Sequence, residues 1–297
     1  MTRAVPPLPP RNGVPASRLW LPAGDWPDLL AFLVARFPHL DADVWRARFA
    51  GGEVLDELGQ PLSADTPYAA GRCLHYFRDV PPERVVPFAE TVLYRDERLV
   101  AVDKPHFLAS IPSGKHLHET LLMRLRKSLN LPDLTPIHRL DRETAGVMLF
   151  CADPAHRGAY QTLFAERRVA KTYEALVHYR PGLTLPARHR SRLVERDDSF
   201  VMHEVDGEPN SETRIELIAA RGDIAHLRLS PATGKKHQLR AHLAALGAPI
   251  VNDRWYPRLL PDGPDDYARP LKLVARAIAF TDPLDGAPRR FESARTL

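Results

Sequence analysis

The segment His138-Arg139-Leu140-Asp141-Arg142-Glu143-Thr144-Ala145-Gly146 sets a carboxylate between two arginines and runs into the apolar stretch Val147-Met148-Leu149-Phe150. The polar part ends at a glycine and the apolar part reads as a buried strand, so Asp141 lies in the turn that feeds it. A carboxylate flanked by guanidinium groups keeps its negative charge while still facing a cleft. Asp141 is therefore the first candidate for covalent or acid–base chemistry. Taken alone, the same residues also describe a surface acid pairing with Arg139 or Arg142 in a tight turn.

Two further side chains have chemistry to offer. The helix expected over about 235–246, after Thr233-Gly234, carries Leu239, Leu243 and Leu246 inward and is closed by Gly247. Arg240 is about 100° around that helix from Leu239, at the margin of the apolar face. A half-buried guanidinium there needs a carboxylate partner. Tyr173 shares a strand face with Ala175 and Val177; it either packs in the core or presents its ring to a flat ligand. His237 with His242, and His116 with His118, lack an accompanying acid pattern, so no metal is expected. Cys73 and Cys151 are the only cysteines, which gives neither a disulfide framework nor a cysteine metal site. There is no glycine-rich phosphate loop and no nucleophile elbow.

Several elements must position these groups. Leu99–Val102 reads as a buried strand leading into Asp103-Lys104-Pro105. Residues 120–130 read as an amphipathic helix through Leu121, Leu122, Leu125 and Leu129. Residues 154–167 read as a second, with Tyr160, Leu163 and Phe164 inward. Strands are expected over 172–177, 215–218, 225–229 and 271–280, and residues 180–212 as a basic insertion of loops or short strands. Ahead of these, residues 1–18 read as a disordered proline-rich tail, and 81–90 as a linker marked by Pro81, Pro82 and Pro87. Between them lies a small α/β unit, 19–80. Its first helix carries Leu29, Leu30, Leu33 and Phe37 and stops at Pro38; Asp41 caps the second, which bears Val44, Trp45 and Phe49.

The chain has 297 residues, 44% hydrophobic and 26% charged, the balance of a globular protein with a real core. Its net charge is +4 and its pI about 9.1. Basic clusters at 124–127, 167–171, 188–192 and 235–240 favour a polyanionic partner. The start lacks the apolar core of a signal peptide and no run is long enough to span a bilayer, so a cytoplasmic protein is expected.

The chain resembles the RluA family of pseudouridine synthases over about residues 90–285. The likeness rests on five blocks in order: Val102-Asp103-Lys104-Pro105 with Pro112; His138-Arg139-Leu140-Asp141; Arg168-Val169-Ala170-Lys171-Thr172-Tyr173-Glu174-Ala175; Thr233-Gly234-Lys235-Lys236-His237-Gln238-Leu239-Arg240-Ala241-His242-Leu243; and a last strand with Leu271, Leu273, Ala275 and Phe280. The N-terminal unit resembles an S-four-like RNA-binding module over about 27–79, with Leu58-Gly59-Gln60 where that module tends to read Val-Asn-Gly. The main resemblance implies an α+β catalytic domain over 91–297, with a mixed, largely antiparallel sheet, flanking helices and a central basic cleft.

It also implies roles. Asp141 would be the nucleophile, Tyr173 would stack on the target base, and Arg240 would pair with Asp141. Arg139 would hold the gap left by a flipped nucleotide, and Leu273 would line the pocket. His138, Arg168, Lys171, Lys235 and Lys236 would help to bind RNA. The reaction would isomerise uridine in ribosomal or transfer RNA with no cofactor, in an enzyme expected to be a monomer. The sequence departs from the family at Glu143-Thr144-Ala145-Gly146, often Asp-Thr-Ser-Gly; at Val274, often histidine; and at Asn252-Asp253, often Gly-Asp. No catalytic group is lost by these changes. An RNA-binding or ribosome-assembly protein that keeps the fold without catalysis remains an alternative, as does a nucleoside hydrolase using the same carboxylate.

Overall fold

A computed structural model of the chain describes residues 14–78, 82–180, 182–196, 199–261 and 263–297. They divide into two units, with the boundary between Glu83 and Arg84. The first contains β1 (Ser17–Trp20), α1 (Leu29–Arg36), α2 (Ala42–Ala50), β2 (Val54–Leu55) and β3 (Cys73–Tyr76), with strands antiparallel in the order β1-β3-β2. Asp28 and Asp41 cap the two helices by accepting from Ala31 N at 2.7 Å and Asp43 N at 3.0 Å. Leu29, Phe32, Leu33, Trp45, Val54 and Leu74 form its core.

The expected tail ends earlier than its composition suggested. Val14 is buried, and Ser17 and Arg18 pair with Tyr76 and His75. Nothing after Pro15 prevents pairing; residues 1–13 lie outside the described residues. The end of the expected linker is also tied down. Val86 is buried and donates its N–H to Glu119 Oε1, while the Arg124 guanidinium donates to Val86 O and Phe88 O.

The second unit is one eleven-stranded sheet with helices on its faces. In chain order it comprises β4 (Thr91–Arg95), β5 (Leu99–Lys104), α3 (Leu121–Leu129), β6 (Thr135–Pro136), β7 (Ala145–Cys151), α4 (Arg157–Ala165) and β8 (Ala170–His178). There follow β9 (Arg188–Arg196), β10 (Ser199–Val205), β11 (Ser211–Arg221), β12 (Ile224–Pro231), α5 (Gln238–Ala245), β13 (Leu273–Thr281) and β14 (Pro288–Glu292). The sheet order is β10-β9-β11-β12-β8-β13-β7-β5-β4, with β14 on β13 and β6 on β7. Its pairs are antiparallel except β13–β7, which run parallel. The α+β, largely antiparallel architecture agrees with expectation.

The unbroken apolar run of β7 follows from burial on both faces. Val147 and Leu149 pack with Tyr160 and Leu163 of α4, whereas Met148 and Phe150 pack with Leu121 and Leu125 of α3. Farther along the sheet, α5 lays Leu239 and Leu243 against Ala175, Val177, Leu227 and Leu229.

Three element readings need correction. The helix expected from Pro154 begins as a 3-10 turn, Pro154–His156, before α4. Residues 180–212 contain long strands, β9 and β10, which extend the sheet. Arginines 188, 190 and 192 point outward while Ser191 and Leu193 are buried, an alternation obscured by polar residues on both faces. The helix expected from Lys235 starts at Gln238, because its side chain fastens the preceding turn. Gln238 Oε1 accepts from Thr233 Oγ1 at 2.7 Å and Lys235 N at 3.1 Å, and Nε2 donates to Glu212 O at 2.9 Å. The terminal strand β14 escaped sequence reading altogether.

The parallel junction is where the turn that carries Asp141 meets the sheet. Val274 pairs with Ala145 and Ala275 with Gly146. Gly146 has φ +115°, and a β-carbon there would lie 2.3 Å from Ala275 O. Only glycine allows both the conformation and the approach. Gly146→Ala is expected to lower stability by about 3 kcal/mol or more, read from the urea unfolding curve. An unchanged midpoint would show that the junction yields freely.

Candidate active site

The turn from His138 to Thr144 is held by side chains that engage its backbone and the strand behind it. His138 stacks on Phe164, with centroids 4.7 Å apart and planes 19° apart, and its Nε2 accepts from Leu149 N at 3.1 Å. Leu140 N donates to Ser110 Oγ, which donates in return to Leu140 O. Lys104 is fully buried and donates to the carbonyls of Pro105, Leu108 and Arg142 at 3.0, 2.8 and 3.1 Å. Burial pushes its pKa down to about 7, although Glu143 and Asp141 act the other way. His106 Nδ1 lies 2.6 Å from Glu143 O.

Neither neighbouring arginine pairs with Asp141. Arg142 is turned away: it grips Asp265 with two hydrogen bonds of 2.9 and 2.5 Å and donates Nε to Glu143 Oε1 at 3.0 Å. Arg139 is exposed at the lip of the cleft. The partner is Arg240, whose Nη1 lies 3.3 Å from Asp141 Oδ2 and 3.6 Å from Glu143 Oε2.

Arg240 was expected at the margin of the apolar face, yet its side chain is only 1% exposed. A second carboxylate makes that depth possible. Asp253, itself fully buried, receives Arg240 Nε at 2.8 Å and Nη2 at 2.7 Å. Asp253 Oδ1 also accepts from Trp255 N and Tyr256 N, and the Trp255 ring covers the guanidinium at 4.2 Å. The aspartate pair outweighs burial and raises the Arg240 pKa further. Asp253 is the functional residue that sequence reasoning passed over. Its signal was present in Asn252-Asp253, noted only as a departure from the family's Gly-Asp.

The cleft in front of Asp141 holds about 1640 Å³. That exceeds the ~300–1,000 Å³ usual for a small-molecule pocket and suits a segment of polymer. Tyr173 and Leu273 line it, and burial together with Asp141 pushes the Tyr173 phenol pKa up, keeping it neutral. Lys171, Lys235 and Lys236 line it too. Lys171 Nζ donates to Thr233 O at 2.9 Å, and Lys236 pairs with Glu195 at 2.8 Å. Arg168 does not belong to this set. It is exposed and pairs with Glu166 at 2.8 Å, while Arg167, in left-handed backbone, faces the cleft instead. His138 borders the cleft, but its hydrogen bond and stacking make it a prop for the turn.

Among the described residues, one group, His189, Glu204 and His242, has metal-ligand spacing. Both ring nitrogens of His242 are already engaged, Nε2 by Ser191 and Ser211 and Nδ1 by Thr213. No helix among the described residues is long and apolar enough to cross a membrane.

The site thus offers a carboxylate at a cleft wall, backed by a pinned guanidinium and flanked by a neutral tyrosine and lysines. Comparison with known proteins gives this arrangement a class. Residues 98–245 match the RNA pseudouridylate synthase family. The dual-specificity RNA pseudouridine synthase RluA of Salmonella typhimurium is 32% identical over 68% of this chain and 91% of its own. An RNA pseudouridine synthase of Synechocystis is 28% identical over 77% of this chain and 79% of its own. The solved structure of human RNA pseudouridylate synthase domain containing 4 covers 64% of this chain and 83% of its own, with 29% identity and a TM-score of 0.51. The chain belongs to the RluA-type family of RNA pseudouridine synthases.

Two predictions follow from the buried charges and imidazoles. Asp253→Ala leaves Arg240 buried without its main partner and is expected to cost about 3–5 kcal/mol, alongside lost turnover. Unchanged urea unfolding would show that Arg240 is held by other groups. Burial lowers the pKa of His106, His237 and His242 to about 4 and of His138 to about 3. Unfolded, each binds a proton near pH 6.5, so the unfolded chain takes up more protons below that value. Stability should be intact above pH 6.5 and fall as pH drops towards 4, by up to about 1.4 kcal/mol per pH unit for each histidine. His242→Gln should flatten that fall; an identical slope would contradict the assignment.

Proposed function

We propose that Asp141 is the nucleophile of this pseudouridine synthase and that its targets are uridines of ribosomal or transfer RNA. The observation that carries the reading is the Asp141–Arg240 contact of 3.3 Å, made by an arginine already fixed by Asp253. Such a guanidinium stabilises negative charge on Asp141 without moving when substrate enters.

The reaction breaks the bond from the ribose anomeric carbon to N1 of uracil and forms one from that carbon to C5. C5 loses its proton and N1 gains one. Composition and oxidation state do not change, so no redox partner or energy source is required. Asp141 would attack the sugar or the base covalently. Tyr173 would stack on uracil while it turns, and Leu273 would shield the pocket from water. Extrusion of the uridine leaves a gap that Arg139, exposed at the lip, would occupy. Lys171, Lys235 and Lys236 would grip neighbouring phosphates. The helices and small sheet of the N-terminal unit would add a second contact to RNA, as the S-four-like resemblance suggests. A cytoplasmic monomer suits this reading, and the dual specificity in one relative's name is consistent with more than one target site.

Pseudouridine mapping of total RNA from deletion cells, complemented with wild type or Asp141→Ala, tests both parts. The expected result is that wild type restores sites in ribosomal or transfer RNA, while Asp141→Ala restores none and still binds RNA. Full restoration by Asp141→Ala would leave only the RNA-binding role, and free uracil in a purified reaction would indicate a hydrolase.

A further inference from the structure

Phe200 lies on β10 at the wall of the same cleft, and 46% of it is exposed. A large apolar ring open to water inside a lysine-rich cleft is not explained by packing of the hairpin. Its orientation is nevertheless fixed. The ring meets Trp255 at 4.9 Å and 85°, and His237 at 6.4 Å and 87°. Both neighbours are themselves anchored. Trp255 covers the Arg240 guanidinium, its N–H bound to Asp253, and His237 Nδ1 lies 3.1 Å from the hydroxyl of Tyr256. Tyr256 in turn accepts from Met202 N of β10 at 2.7 Å, which ties the strand bearing Phe200 to this group.

The ring is therefore separated from Arg240 by one intervening indole. The contacts run Asp141–Arg240–Trp255–Phe200, so one guanidinium and one indole stand between the carboxylate and the ring, an offset that suits the next nucleotide rather than a base held at Asp141. Lys235, Lys236 and Arg254 line the same cleft and would take the phosphates on either side. An exposed aromatic face beside backbone-binding cations is the usual means of holding an unpaired base without reading its identity.

We propose that Phe200 is a stacking platform for the unpaired nucleobase next in the strand to the target uridine. The inference rests on the reading that places the target uridine at Asp141. The stacked base would hold the strand splayed and raise affinity, leaving the chemical step unchanged once RNA is bound. Because every base has a π-face, this subsite would add little sequence preference.

The test uses the full chain with unmodified ribosomal and transfer RNA transcripts, followed by stem-loops cut from a modified site. In these stem-loops either neighbour of the target is replaced by an abasic residue. Phe200→Ala should lower kcat/KM about tenfold with kcat at saturating RNA unchanged, whereas Phe200→Tyr and Phe200→Trp should retain most of it. One abasic neighbour, and not the other, should take a similar factor from wild type and nothing further from Phe200→Ala. The proposal falls if Phe200→Ala keeps wild-type kcat/KM. It also falls if the two losses multiply, or if all three variants lose activity in step with thermal stability, which would make Phe200 a packing residue of the hairpin. A wild-type chain inactive on every transcript would overturn the target reading and this proposal with it; an active one indifferent to both abasic neighbours would overturn this proposal alone.

Discussion

The bidentate pair between Arg240 and Asp253 governs the architecture of the cleft. Two charges buried together are expensive to desolvate, and the pair survives because its geometry is close to complete. The guanidinium gives two hydrogen bonds to one carboxylate, lies under an indole, and has Nη1 left over for Asp141. Asp141 therefore does not have to hold Arg240 in place. It meets a cation whose position has already been settled by α5 and the segment after Val251. The two carboxylates thus differ in setting: the Asp253 side chain is fully buried, while that of Asp141 is 25% exposed and faces the cleft.

A similar division runs through the turn that carries Asp141. Its backbone is secured by Lys104, Ser110, His106 and His138, each engaging main-chain atoms. Lys104 Nζ is ringed by three carbonyls, one of them that of Arg142, so the loop is fastened from within the core. Arg142 holds the same turn from outside through Asp265. The side chain of Asp141 is left as the part of the turn directed at the reaction space.

Much of this is legible in the amino-acid sequence. The cap at Asp41, the period of α3, and the buried strand β7 all follow local rules, and each lies close to its expected place. Asp141 and Arg240 were readable as partners only through the resemblance, since they are 99 residues apart. Three features were not legible. The depth of Arg240 depends on Asp253, a tertiary partner that no helical wheel contains. The start of α5 depends on a glutamine side chain bonded to β11. The β9–β10 hairpin carries polar residues on both faces, so its alternation gave no strong apolar signal. The exclusion of Arg168 from the cleft is a matter of one residue: Arg167 takes the left-handed turn and faces inward, and its neighbour faces out.

The parallel junction between β7 and β13 also constrains how the enzyme comes into being. On a ribosome, β7 emerges with its antiparallel neighbours β5 and β6 already available, but its first residues, Ala145 and Gly146, have no partner on the other edge until β13 appears. Throughout that interval the start of an apolar strand presents a short open backbone edge, the kind of surface that recruits chaperones or neighbouring nascent chains. Arg240 and Asp253 are synthesised inside the same interval. The carboxylate turn thus exists for much of translation without its cation and without its sheet closed. The cation that backs Asp141 is therefore fixed only after the chain has passed Asp253, and the sheet beneath the turn is closed only once β13 has formed.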